Sequence, residues 1–148
     1  MKKVLFLLLS SGLLAACNQN HSISADAIQN PMTADGKIDM DRVPVMVFEQ
    51  EIYDFGKIEE GEKVSFAFKF KNTGKTPLII SDAAASCGCT VPEKPEDPIE
   101  PGQEGLINVV FNSTGKMGLQ NKSITLLANT IPNTKVLYLR GEVTPGKE

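Results

Sequence analysis

Ser86-Cys87-Gly88-Cys89-Thr90 is the stretch of this chain whose residue types and spacing are best able to do chemistry. Three states are open to its two sulfurs. A bond from Cys87 to Cys89 across Gly88 would close a tight loop, needing close Cα atoms and dihedrals that glycine permits. Such a strained bridge is easily reduced, so it would serve either as a staple or as a redox element. Two thiolates could instead hold Cu(I) or share Zn²⁺. Structural zinc wants four ligands, though, and the stretch has no histidine; the outlying donors are His21 and Met117. The third state is an inert pair of small residues packed at a sheet end. The spacing leaves all three open. Ser86, Gly88, Thr90 and Val91 are read as a small interaction surface for a protein partner, shaped by Cys87 and Cys89 and framed by the loop that follows.

The other constellations dissolve. Glu93, Glu96, Asp97, Glu100 and Glu104 alternate with Pro92, Pro95, Pro98 and Pro101. Clustered carboxylates can do acid/base work or bind Ca²⁺. This cluster lacks the central glycine of a calcium loop and reads as a solvated, proline-stiffened connection. Asn112-Ser113-Thr114 and Asn121-Lys122-Ser123 match a glycosylation acceptor pattern but read as turn and strand residues. The single histidine, His21, precedes the folded part, which removes any Ser/His/Asp or Cys/His arrangement. A glycine-rich phosphate loop is also missing. No catalytic residue, resident metal or cofactor is therefore assigned, and no small-molecule substrate is evident. The expectation is a non-enzymatic binding or scaffolding module; the alternative is a thiol redox or copper-handling protein using Cys87 and Cys89.

Location is written more clearly than chemistry. Met1-Lys2-Lys3 forms a charged start, residues 4–9 an apolar run, and Leu14-Ala15-Ala16-Cys17 small residues leading into a cysteine. The pattern resembles a bacterial lipobox, which implies cleavage before Cys17, lipidation there and a membrane-held mature chain. No run approaches the roughly 20 apolar residues that span a bilayer, so the membrane is expected to be reached through acyl chains alone. Losing Lys2 and Lys3 takes the 15 Lys and Arg to 13 against 18 Asp and Glu, a net charge of −5. That sign argues against nucleic acid as a partner. Asn18-Gln19-Asn20 is not an acidic run. Acidic runs at that place resemble surface-export signals of some bacterial envelopes, so their absence favours the periplasmic side. The expected location is the outer membrane facing the periplasm, with another envelope protein as the expected partner.

The elements follow from periodicity. Residues 18–43 are polar and aperiodic, and residues 17–44 read as the lipidated cysteine and a flexible tether after a leader at 1–16. Residues 45–148 read as one domain of about 100 residues. Val64, Phe66, Phe68 and Phe70 alternate with Ser65, Ala67, Lys69 and Lys71, as a half-buried strand demands. Strands are also expected at 77–83, 105–112, 120–129 and 135–143, and one strand broken near Gln50-Glu51 spans 45–58. About seven short strands without a helical stripe predict an all-β, immunoglobulin-like antiparallel β-sandwich. There is no tryptophan, and Cys87 and Cys89 are too close to join two sheets, so phenylalanines must fill the core.

Tyr53-Asp54-Phe55-Gly56, Gly61-Glu62-Lys63-Val64, Phe68-Lys69-Phe70-Lys71-Asn72-Thr73-Gly74, Pro77-Leu78, Ser86-Cys87-Gly88-Cys89-Thr90, Pro101-Gly102 and Asn121-Lys122 carry a resemblance. Together they are similar to a bacterial envelope family designated a domain of unknown function. That family looks like a branch of the immunoglobulin-like sandwiches that includes hydin-type and major-sperm-protein-type domains. The resemblance implies the fold and no catalytic residue.

Overall fold

The computed structural model describes residue 32, residues 35–88 and residues 90–146. The leader, Cys17, His21, Cys89 and most of the expected tether lie outside the described residues. Eight strands form: β1 (Met46–Phe48), β2 (Ile52–Glu59), β3 (Lys63–Asn72), β4 (Ile80–Ala85), β5 (Thr90–Glu93), β6 (Glu104–Asn112), β7 (Gly118–Ala128) and β8 (Thr134–Thr144). One sheet runs β1-β3-β6-β5 and the other β2-β8-β7-β4.

The alternation in β3 sets the core. Phe68 and Phe70 are buried, and Phe66, Phe68 and Phe70 lie opposite Val109, Ile107 and Gly105 of β6. Gly105 is bare because the Phe70 ring occupies the place where its Cβ would stand. Ile124, Leu126, Leu137 and Leu139 face them from the second sheet, all fully buried. Aromatic rings join the layers: Tyr53 of β2 stacks on Phe66 of β3 with centroids 3.8 Å apart, and Phe55 on Phe111 at 5.5 Å. Each large side chain buried this way stabilises by about 1.5–3 kcal/mol.

Four expectations need correction. The strand expected across 45–58 is two strands in different sheets. β1 pairs antiparallel with β3, and β2 then crosses over to pair with β8. That second pairing is parallel, so the second sheet is mixed and the sandwich is not purely antiparallel. The eighth strand is β5, which pairs with β6 despite Pro92. The strand expected at 77–83 begins only at Ile80, while buried Leu78 exchanges backbone bonds of 2.9 and 2.8 Å with Ile99.

Residues before 45 also pack against the sandwich. Met40–Arg42 forms one 3₁₀ turn capped by Asp39, Lys75 pairs with Asp41 at 2.7 Å, and Val43 is buried. Asn72, the last residue of β3, is a fully buried hub. Its Nδ2 donates to the carbonyls of Thr76 (2.8 Å) and Ile99 (2.9 Å), and its Oδ1 accepts from the amides of Gly74 (3.0 Å) and Val45 (3.4 Å). At the other end, the buried Ser113 hydroxyl contacts the carbonyls of Glu62 (2.8 Å) and Glu59 (3.1 Å), tying the β2–β3 turn to the end of β6.

Candidate functional site

The cysteine stretch forms the corner where the chain leaves β4, an edge of one sheet, and enters β5, an edge of the other. Ser86 anchors it. Its amide donates to the Ser123 carbonyl at 2.9 Å, and its Oγ accepts from the Ser123 amide at 3.2 Å. The Thr90 amide donates to the Cys87 carbonyl at 3.2 Å and closes the turn. Cys87 is half-buried and disulfide-bonded, with Sγ 3.7 Å from the Thr90 hydroxyl oxygen. The other half of that bond lies outside the described residues. In this state Cys87 offers no thiolate to a metal.

The expected surface is smaller than its four residues suggested. Thr90 is 4% exposed and faces the core, so it cannot touch a partner. Ser86 and Gly88 are exposed. Gly88 has no positive φ, and a Cβ there would meet nothing within 4 Å. The turn therefore does not use glycine's conformational freedom; Gly88 contributes open, bare backbone. Met117 lies in the β6–β7 turn, 52% exposed.

The carboxylates disperse. Glu104 of β6 sits 3.0 Å from the Lys69 amine, which also holds Glu49 at 3.2 Å. The hydrogen bonds that the Lys69 ammonium donates to Glu104 and then to Glu49 raise its pKa above the ordinary 10.5. Glu96 pairs with Lys94 at 3.6 Å. Among the described residues no three His, Cys, Asp or Glu gather around a point that could hold a metal.

Backbone edges matter more. The Glu49 amide donates to the Lys69 carbonyl at 3.0 Å, so the odd-numbered residues of β3 turn their backbone toward β1 and the even-numbered ones toward β6. Val109, opposite Phe66, therefore bonds to β3, and its neighbours Asn108 and Val110 bond to β5. Pro92, opposite Val109, points its nitrogen, which carries no hydrogen, at the free edge of β5. The free edge of β5 is thus blocked to an added strand at Pro92. The outer edges of the second sheet are bent: β2 bulges between Asp54 and Lys57, with Gly56 at φ +70, and β4 between Ile80 and Asp82. Sequence reading missed what β1 leaves uncovered, at Lys63, Ser65 and Ala67. The available signal was a ten-residue alternating strand beside a three-residue partner.

Comparison with known proteins fits this architecture. No curated protein matches the sequence at a significant level. A Porphyromonas gingivalis W83 protein of unknown function superposes with a TM-score of 0.61 and 17% identity, covering 70% of this chain and 48% of that one. The PapD-like domain 7 of human CEP192, an ASH domain, gives 0.54 and 13% identity, covering 81% and 95%. The Vibrio cholerae secreted serine protease VesC gives 0.53 and 11% identity, covering 66% and 23%. This chain thus spans about half of the Porphyromonas protein and about a quarter of VesC. At these identities the likeness concerns the fold alone, an immunoglobulin-like β-sandwich. The model of one sequence family matches residues 46–143, from the start of β1 almost to the end of β8, and the chain belongs to that family, the proteins of unknown function DUF1573.

Proposed function

We propose that this chain is a lipid-anchored envelope protein whose sandwich is a non-enzymatic binding or scaffolding module. Cys17 is the anchor, in the outer membrane facing the periplasm, and another envelope protein is the partner. The observation that carries the reading is the placing of the exposed Ser86 and Gly88 corner at the end of the sandwich opposite to chain entry. Met46 lies opposite Asn72 at one end of β3, whereas Lys63 lies opposite Asn112, beside the Thr90 and Phe111 pair, at the other. Ten residues at about 3.3 Å each separate the two ends by about 30 Å. A tether anchored at Cys17 would therefore present the corner away from the lipid. Photo-crosslinkers placed at Ser86 and Gly88 in cells should each form one discrete protein adduct, and one at Lys37, near chain entry, should not. Adducts at Lys37 alone would reject this orientation.

A second reading, thiol exchange, is favoured by the disulfide at Cys87. It requires that bond to be reduced by a dithiol donor during function, and copper handling would require the same first step. A protein whose Cys87 remains oxidised in growing cells, measured by thiol trapping before lysis, would exclude both.

A further inference from the structure

We propose that the uncovered edge of β3 at Lys63, Ser65 and Ala67 accepts an extended strand from a partner protein, one that alternates apolar and acidic side chains. This deepens the binding reading by naming an edge and the chemistry of its occupant. β1 pairs only with Phe70, Lys71 and Asn72, and the Glu49 amide to Lys69 carbonyl bond is the last on that side. The chain then crosses to the other sheet as β2. Lys63, Ser65 and Ala67 turn their N–H and C=O groups toward the space so vacated, and no backbone partner meets them there among the described residues.

The floor beside that edge is apolar. Val64 and Phe66 of β3 and Tyr53, Phe55 and Ile58 of β2 pack on the core yet are only partly buried. An added strand would find backbone partners along the rim and apolar contact for every second side chain. Its remaining side chains would emerge beside Lys63, Ser65 and Ala67. Lys63 is exposed and carries no ion pair among the described residues. The nearby acids are engaged elsewhere: Glu62 accepts from the Glu59 amide at 2.7 Å and Glu60 from the Gly115 amide at 3.0 Å. An acidic residue opposite Lys63 thus meets an unneutralised cation.

A second copy paired antiparallel across the uncovered residues would set Ser65 against Ser65 and Lys63 against Ala67, which leaves Lys63 without an opposite charge. Of the remaining outer edges, β5 carries Pro92, β2 and β4 each carry a bulge, and β1 is only three residues long.

The test uses the full chain and a capped probe peptide of about seven residues, alternating Val and Glu, with a Val and Lys peptide as its counterpart. The Glu probe should slow amide exchange at Lys63, Ser65 and Ala67 by at least about tenfold and bind at least about tenfold more tightly than the Lys probe. Ser65→Pro removes an amide that the domain itself does not bond, so it should abolish this protection while β6 amides stay as protected as in the parent. Ser65→Ala should retain it. Absence of protection at these amides, equal binding of the two probes, protection confined to β2 or β5, or a dimer that protects the same amides without probe would each overturn the proposal. Should Ser65→Pro also expose β6, the two probes on the parent protein decide. A cellular footprint at Ser86 and Gly88 with no probe effect on β3 would sink only this inference; no cellular footprint anywhere would sink the binding reading itself.

Discussion

Asn72→Ala should be among the most damaging single substitutions outside the apolar core. The side chain is fully buried and makes four hydrogen bonds, to backbone groups of Val45, Gly74, Thr76 and Ile99. Truncation leaves two N–H and two C=O groups to find water or remain unpaired. A satisfied hydrogen bond contributes about 0.5–1.5 kcal/mol net and an orphaned group costs about 1–3 kcal/mol. Val45 is 43% exposed, so its amide regains water. A loss of about 3–5 kcal/mol follows, a large share of the roughly 5–15 kcal/mol typical of a domain. In urea, at about 1–2 kcal/mol per molar, the midpoint should fall by about 2 M or more. Residue-resolved hydrogen exchange should show Gly74 and the β1 end opening first, because Thr73 to Val45 and the Met46 pairing with Asn72 depend on that corner. A loss below about 1 kcal/mol, or unchanged exchange at Val45 and Gly74, would refute the view that one side chain ties β1 to both loops.

Phe68→Ala should cost about 3–5 kcal/mol, since a fully buried ring packed edge-on against Phe66 is removed and a cavity remains. Lys69→Ala, one residue along on the outer face, should cost far less in the same urea titration, and equal losses would show the β3 register to be wrong. Because the Lys69 pKa is raised in the folded state, its small contribution should be fully present below its ordinary 10.5 and fade as pH climbs through the raised value. Cys17→Ser should leave the domain folded and release it from membranes; acylated, membrane-bound variant would contradict the anchor. Protein unfolded without reductant should show Cys87 and Cys89 both protected from alkylation, with a tryptic mass that joins them, and quantitative alkylation of Cys89 would disprove their pairing.

The sequence made β3 legible because a strand with one buried face writes period-2 alternation directly, as Val64 to Phe70 does. The same rule found β6, β7 and β8 to within a few residues. It could not show that the break near Gln50 is a change of sheet. Both halves keep their alternation, and the choice of partner is settled by pairing Ile52 with Tyr138, a contact remote in sequence. β5 was hidden by Pro92, which argues against a central strand and is tolerated only because its nitrogen faces outward. Asn72 looked like any turn residue, since its acceptor at Ile99 lies 27 positions away. At the corner, residue types pointed to a sulfur bond, and Cys87 has one. What they could not convey was the inward turn of Thr90, which follows from its place opposite Phe111 on the core face of β6.

The most direct test compares hydrogen exchange of the full lipoprotein in native envelope membranes with the same protein in detergent. A binding module oriented as proposed should exchange more slowly in the envelope at Gly88 and at Lys63, Ser65 and Ala67, with β7 and β8 unchanged. Identical exchange in both settings, or protection confined to residues 35–44, would contradict it.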